Sequence, residues 1–88
     1  MGDIYVPPKQ WVNAYAASGI PAGSGLLLQN KALMPVLVLE QAAQPAAGDP
    51  SGWLLAQGAA IEIDAGSPGV WIWSAPGDAR VFVQEAML

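Results

Sequence analysis

From Leu26 onward the chain reads as short apolar runs separated by glycine and proline, the pattern of strands joined by turns. The predicted strands are residues 26–31, 36–41, 53–56, 59–64, 70–74 and 79–86. Alternation is clearest in 59–64, where Ile61 and Ile63 point to one face and Glu62 and Asp64 to the other. In 79–86, Val81 and Val83 alternate with Arg80, Phe82 and Gln84 in the same period. Pro76 before Gly77 is the residue order of a type II turn, so 70–74 and 79–86 are predicted to pair as an antiparallel hairpin. Residues 42–52, which hold Pro45, Gly48, Pro50 and Gly52, are predicted to form an exposed loop.

Ahead of these strands, residues 1–8 are predicted to be an extended arm, stiffened by Pro7-Pro8 and suited to gripping a neighbour. Residues 9–17 are predicted to make one or two helical turns. Trp11 and Tyr15 share a helical face, Ala14, Ala16 and Ala17 favour helix, and Ser18-Gly19 supplies a stop. So short a helix is marginal in water and needs Trp11 and Tyr15 to dock on something. Six short strands without a long helix predict an all-β fold, a small antiparallel β-sandwich or barrel, as one domain over residues 9–88.

Two of the predicted strands are apolar on both faces. Val36 and Val38 oppose Leu37 and Leu39, and Val70 and Ile72 oppose Trp71 and Trp73. Neither side of such a strand belongs in water. Three coverings are open: Trp11 and the short helix within the fold, a neighbouring subunit, or a sugar ring stacked on the indoles. Tryptophan is enriched at interaction hot spots. The interface candidates are therefore Trp71, Trp73, Trp11, Tyr15, Leu37, Leu39 and, on the arm, Tyr5.

Composition sharpens this reading. Of 88 residues, 53% are apolar and 11% charged, against a usual charged share of about 25%. Three cations face seven anions, for a net charge of −4, too few positive groups to grip phosphates. Nucleic acid is therefore not an expected partner. Nor is a membrane, since the longest uncharged stretch, 10–30, is broken by Asn13, Ser18, Pro21 and three glycines. No secretory leader is expected at residues 1–10, where Asp3 and paired prolines stand.

Histidine and cysteine are both absent, which removes imidazole bases, thiolate nucleophiles and the commonest zinc ligands. Gly23-Ser24-Gly25 lacks the spacing and the base of a nucleophile elbow. The glycines around it end in no phosphate-binding Lys-Ser/Thr. Glu62, Asp64, Asp49 and Asp78 follow no calcium-loop pattern. No enzyme activity, cofactor or metal is predicted.

Ala17-Ser18-Gly19-Ile20, Gly25-Leu26, Leu28-Gln29-Asn30-Lys31, Val70-Trp71, Ser74 and Val81-Phe82-Val83-Gln84-Glu85 resemble a group of short proteins encoded among the virion genes of tailed bacteriophages. The resemblance implies a structural virion component assembled in the host cytoplasm: a capsid decoration or cement protein, a head-fibre base or a tail-associated piece. It also implies a homo-oligomer, such as a trimer, bound to other virion proteins such as the major capsid protein. The alternative is a tail-associated receptor- or carbohydrate-binding module. The group offers no catalytic motif to carry over.

Overall fold

The computed structural model describes residues 2–47, 49 and 51–86. Met1 of the predicted arm, Gly48 and Pro50 of the predicted loop, and Met87 and Leu88 of the predicted domain lie outside the described residues. The elements in chain order are β1 (Gly2–Val6), β2 (Trp11–Asn13), α1 (Ala14–Ser18), β3 (Leu26–Asn30), β4 (Val36–Glu40), β5 (Trp53–Leu55), β6 (Ala60–Ile63), β7 (Val70–Trp73) and β8 (Ala79–Glu85). They form two four-stranded antiparallel sheets, ordered β1-β8-β3-β6 and β2-β7-β4-β5, which enclose one hydrophobic core. The chain is a small all-β sandwich with one helical turn.

Alternation decides which side chains enter that core. Leu26 and Leu28, Val81 and Val83, Val36 and Val38, and Val70 and Ile72 all turn inward and are sealed from solvent. Each such side chain contributes about 1.5–3 kcal/mol by leaving water. Two polar residues share this inward phase, Asn30 on β3 and Ser74 just past Val70 and Ile72. Asn30 follows Leu26 and Leu28 on β3 and is fully buried. Its Nδ2 donates to the Met34 carbonyl at 2.8 Å and the Leu55 carbonyl at 3.0 Å, and its Oδ1 accepts from the Ala32 N–H at 2.8 Å. One side chain thus ties β3, the β3–β4 loop and β5 together at one end of the sandwich.

Three local expectations are corrected. The predicted arm is β1, paired with β8 from Gly2 to Val6, with Ile4 and Val6 in the core. Asp3 and Tyr5 alternate outward, and Asp3 meets the Lys31 ammonium at 3.0 Å. Burying two aliphatic side chains and pairing the backbone outweighs the freedom of a loose end.

The predicted helix starts later, because Trp11–Asn13 is β2, paired with β7. Asn13 sets the new boundary: its side chain accepts from the Tyr15 N–H at 3.0 Å and the Ala16 N–H at 3.2 Å, the N-cap arrangement. Gly19 ends α1 at φ 79°, a left-handed cap that costs a glycine little.

The predicted hairpin is instead a corner. β7 lies between β2 and β4, whereas β8 lies between β1 and β3 in the other sheet. Gly77 takes no positive φ, as type II would require, and the Ala75–Pro76 peptide is cis. Buried Ser74 closes the corner by donating its hydroxyl to the Gly77 carbonyl at 2.7 Å. Both strands are flanked on each side, so each occupies the middle of its own sheet. Of consecutive strands, β4 and β5 alone share a sheet.

Candidate functional site

The cross-strand register places four large apolar residues in one row on the outer face of the second sheet. Trp11 stands opposite Trp73, Trp73 opposite Leu37, and Leu37 opposite Leu54. The neighbouring row holds Asn13, Trp71 and Leu39. The core face of the same strands is built by Val70, Ile72, Val36 and Val38, so both tryptophans of β7 point away from the core. Five of the seven interface candidates, Trp11, Trp71, Trp73, Leu37 and Leu39, thus share one face.

Part of that face is covered by the chain itself. The loop predicted to be exposed is 42–52; in the structure the segment from Gln41 to Ala46 is pinned across the sheet by the two indoles. The Trp71 Nε1–H donates to the Gln41 carbonyl and the Trp11 Nε1–H to the Ala46 carbonyl, each at 2.9 Å. Pro45 is buried, while Ala42, Ala43, Gln44, Ala46 and Ala47 remain outside. An indole can be covered cheaply only if its N–H finds an acceptor, and these carbonyls supply one each. Gly69 permits the close approach: Gln41 N–H donates to its carbonyl at 3.0 Å, and a Cβ there would overlap the Gln41 carbonyl oxygen. Trp11 is left 6% exposed, with its ring 5.4 Å from that of Trp73 and tilted 47° to it.

The cover stops short of the sheet edge. Leu54 is 66% and Trp53 43% exposed on β5, the outermost strand. Neither was among the sequence candidates, although the signal was available: 53–55 is wholly apolar and no charged residue lies between Asp49 and Glu62. The remaining two candidates lie elsewhere. Tyr5 is 53% exposed on the outer face of the other sheet, opposite Arg80.

Tyr15 is a core residue, its hydroxyl donating to the Ser24 carbonyl at 2.7 Å. Burial pushes the Tyr15 hydroxyl above the ordinary tyrosine range; the neighbouring Ser67 hydroxyl opposes this and the charge of Glu40 adds to it. A neutral phenol is therefore favoured in the folded state. Its contribution to stability is complete below the unfolded value near pH 10 and is lost as pH rises above it. Stability measured by denaturant is expected to fall as the pH rises above about 10, and to fall less steeply in Tyr15→Phe. Equal slopes in the two proteins would contradict this.

A cleft between the β3–β4 loop and the 74–78 corner is lined by Lys31, Ala32, Leu33, Met34, Asp78 and Arg80, but Lys31 is already paired with Asp3. Among the described residues, no three acidic side chains come close enough to hold a metal ion. Asp49 is held below the usual carboxylate range by the hydroxyl and then the backbone N–H of Ser51, the bonding of a loop turn. Comparison with family models, with curated proteins and with solved structures finds no match to this chain.

Proposed function

We propose that this chain is a non-catalytic structural protein that works by binding other protein, as a decoration, cement or head-fibre component on the lattice of a tailed-phage particle. Its partners are further copies of itself and a lattice protein such as the major capsid protein. One observation carries the association: the row Trp11, Trp73, Leu37, Leu54 leaves the chain's own cover and runs out to an exposed, uncharged edge. Soluble domains rarely leave large apolar side chains together in water unless the patch meets a partner. The phage setting comes from the sequence resemblance, and a net charge of −4 suits a surface that does not touch packaged DNA.

A carbohydrate-stacking role is less favoured, because Trp71 and Trp73 are half-buried and one indole N–H is already committed. The test is made on particles. Phage purified on a density gradient from a lysate that expresses the gene is expected to contain the chain in copy numbers comparable to those of lattice proteins, counted by quantitative mass spectrometry. Its absence from the particles would overturn the virion role.

A further inference from the structure

We infer that β5 is a self-pairing edge, through which two copies join their second sheets into one continuous sheet about a two-fold axis. The inference rests on the association reading above and names the partner of that same face. An edge strand presents unpaired backbone N–H and C=O groups, and proteins that remain apart usually guard such edges with charge, proline or a cover. The four edges of this sandwich differ sharply in that respect. β6 carries Glu62, with Asp64 just beyond it, and β1 carries Asp3. On β2, Trp11 lies beneath the Ala46 carbonyl, and Val12 and Asn13 are half-buried. Among the described residues β5 has none of these guards, and its Trp53 and Leu54 are the exposed tryptophan and leucine of the sheet.

Charge identifies the occupant. Two copies of a chain with net charge −4 repel each other wherever their carboxylates approach. Pairing β6 with β6 would oppose like charges, a destabilising arrangement across strands. The stretch from Pro50 to Ile61 carries no charge at all, so two β5 edges meet without that cost. A second copy also meets the partner's requirement automatically, because it offers the same free, apolar, uncharged strand. The antiparallel register that uses the whole of β5 is centred on Leu54. It sets Leu54 against the partner's Leu54 and Trp53 against the partner's Leu55. The outer apolar row then runs unbroken from one Trp11 across the axis to the other.

The chain contains no cysteine, which permits a direct test on the full-length protein. Directly opposed antiparallel residues have Cα atoms about 4.5–5.5 Å apart, inside the roughly 4.4–6.8 Å that a disulfide spans. Leu54→Cys is therefore expected to give a covalent dimer on mild oxidation at micromolar concentration. Leu33→Cys, at a leucine still more exposed (88%) on the β3–β4 loop, is expected to stay largely monomeric under the same conditions. In light scattering, the unmodified chain should have the mass of two or more copies. Leu54→Lys should lower that mass, with self-association weakened at least roughly tenfold and a retained β-sheet circular dichroism spectrum and cooperative melting transition confirming the fold.

A monomeric unmodified chain, or an assembly that Leu54→Lys leaves intact, would overturn the seam. Equal cross-linking at positions 33 and 54 would do the same. If the seam fails while the chain is still found in particles, the virion reading stands and the partner on β5 is another protein. If the seam holds while particles lack the chain, the dimer stands and the virion role falls.

Discussion

Replacing Trp11 by alanine is expected to remove about 4 kcal/mol of folding stability, within the range for buried aromatic truncations. That would be a large part of the roughly 5–15 kcal/mol that holds a typical domain together. The indole does three things at once. It fills space under the loop, leans on Trp73 at 5.4 Å, and holds the Ala46 carbonyl at 2.9 Å. Trp11→Phe keeps an aromatic ring against Trp73 and loses the N–H, so its cost should be nearer the roughly 1 kcal/mol of a single hydrogen bond. Denaturant unfolding of the two variants measures the difference. Limited proteolysis adds a local readout, since cleavage within residues 41–52 should accelerate strongly in Trp11→Ala and weakly in Trp11→Phe. A loss below about 1 kcal/mol in the alanine variant would show that the loop is held by something else.

Asn30→Leu is expected to destabilise the protein by about 3 kcal/mol even though the replacement is apolar and similar in size. The change leaves two carbonyls, of Met34 and Leu55, and the N–H of Ala32 without their side-chain partner at one end of the core. Buried polar groups that lose a partner retain the full cost of leaving water. In the native chain no buried side-chain nitrogen or oxygen among the described residues lacks a partner, so the network has no slack. Urea titrations would register the loss as a lower midpoint with a similar slope. A neutral result would mean that water or a backbone shift satisfies the three groups.

The strands after Leu26 were legible because their alternation is set by burial, and burial is written in the sequence. Predicted and observed bounds differ there by a residue at an end, as for 36–41 against Val36–Glu40 and 79–86 against Ala79–Glu85. β1 was less legible, although Ile4 and Val6 alternate with Asp3 and Tyr5, because its partner lies at the far end of the chain. β2 was hidden by helix-favouring alanines just beyond it. Pairing of β2 with β7, with Trp11 packed at a tilt against Trp73, is a contact distant in sequence that overrides that local preference.

The corner at 74–78 carries turn residues, but turn chemistry does not say whether the next strand stays in the same sheet. Of the candidate face, Trp71, Trp73, Leu37 and Leu39 could be read from strands apolar on both sides. The covering loop could not be read from glycine and proline alone. Its second signal is composition: Ala42, Ala43, Pro45, Ala46 and Ala47 are small and apolar, where a solvated loop would carry charge. Asn30 was not singled out in the sequence, although its place two residues after Leu28 puts it in the inward phase of β3, where a polar side chain must find partners.

The sheet-switching path of the chain has a kinetic consequence. With β4 and β5 as the sole sequential pair, and those two separated by a long loop, no tight hairpin is available to nucleate folding. β8 occupies an inner place between β1 and β3, so the first sheet cannot close during synthesis until Ala79–Glu85 has left the ribosome. Until then Val36, Val38, Val70 and Ile72 of the second sheet lack the layer that covers them, and the nascent chain exposes this apolar surface to its neighbours on the polysome.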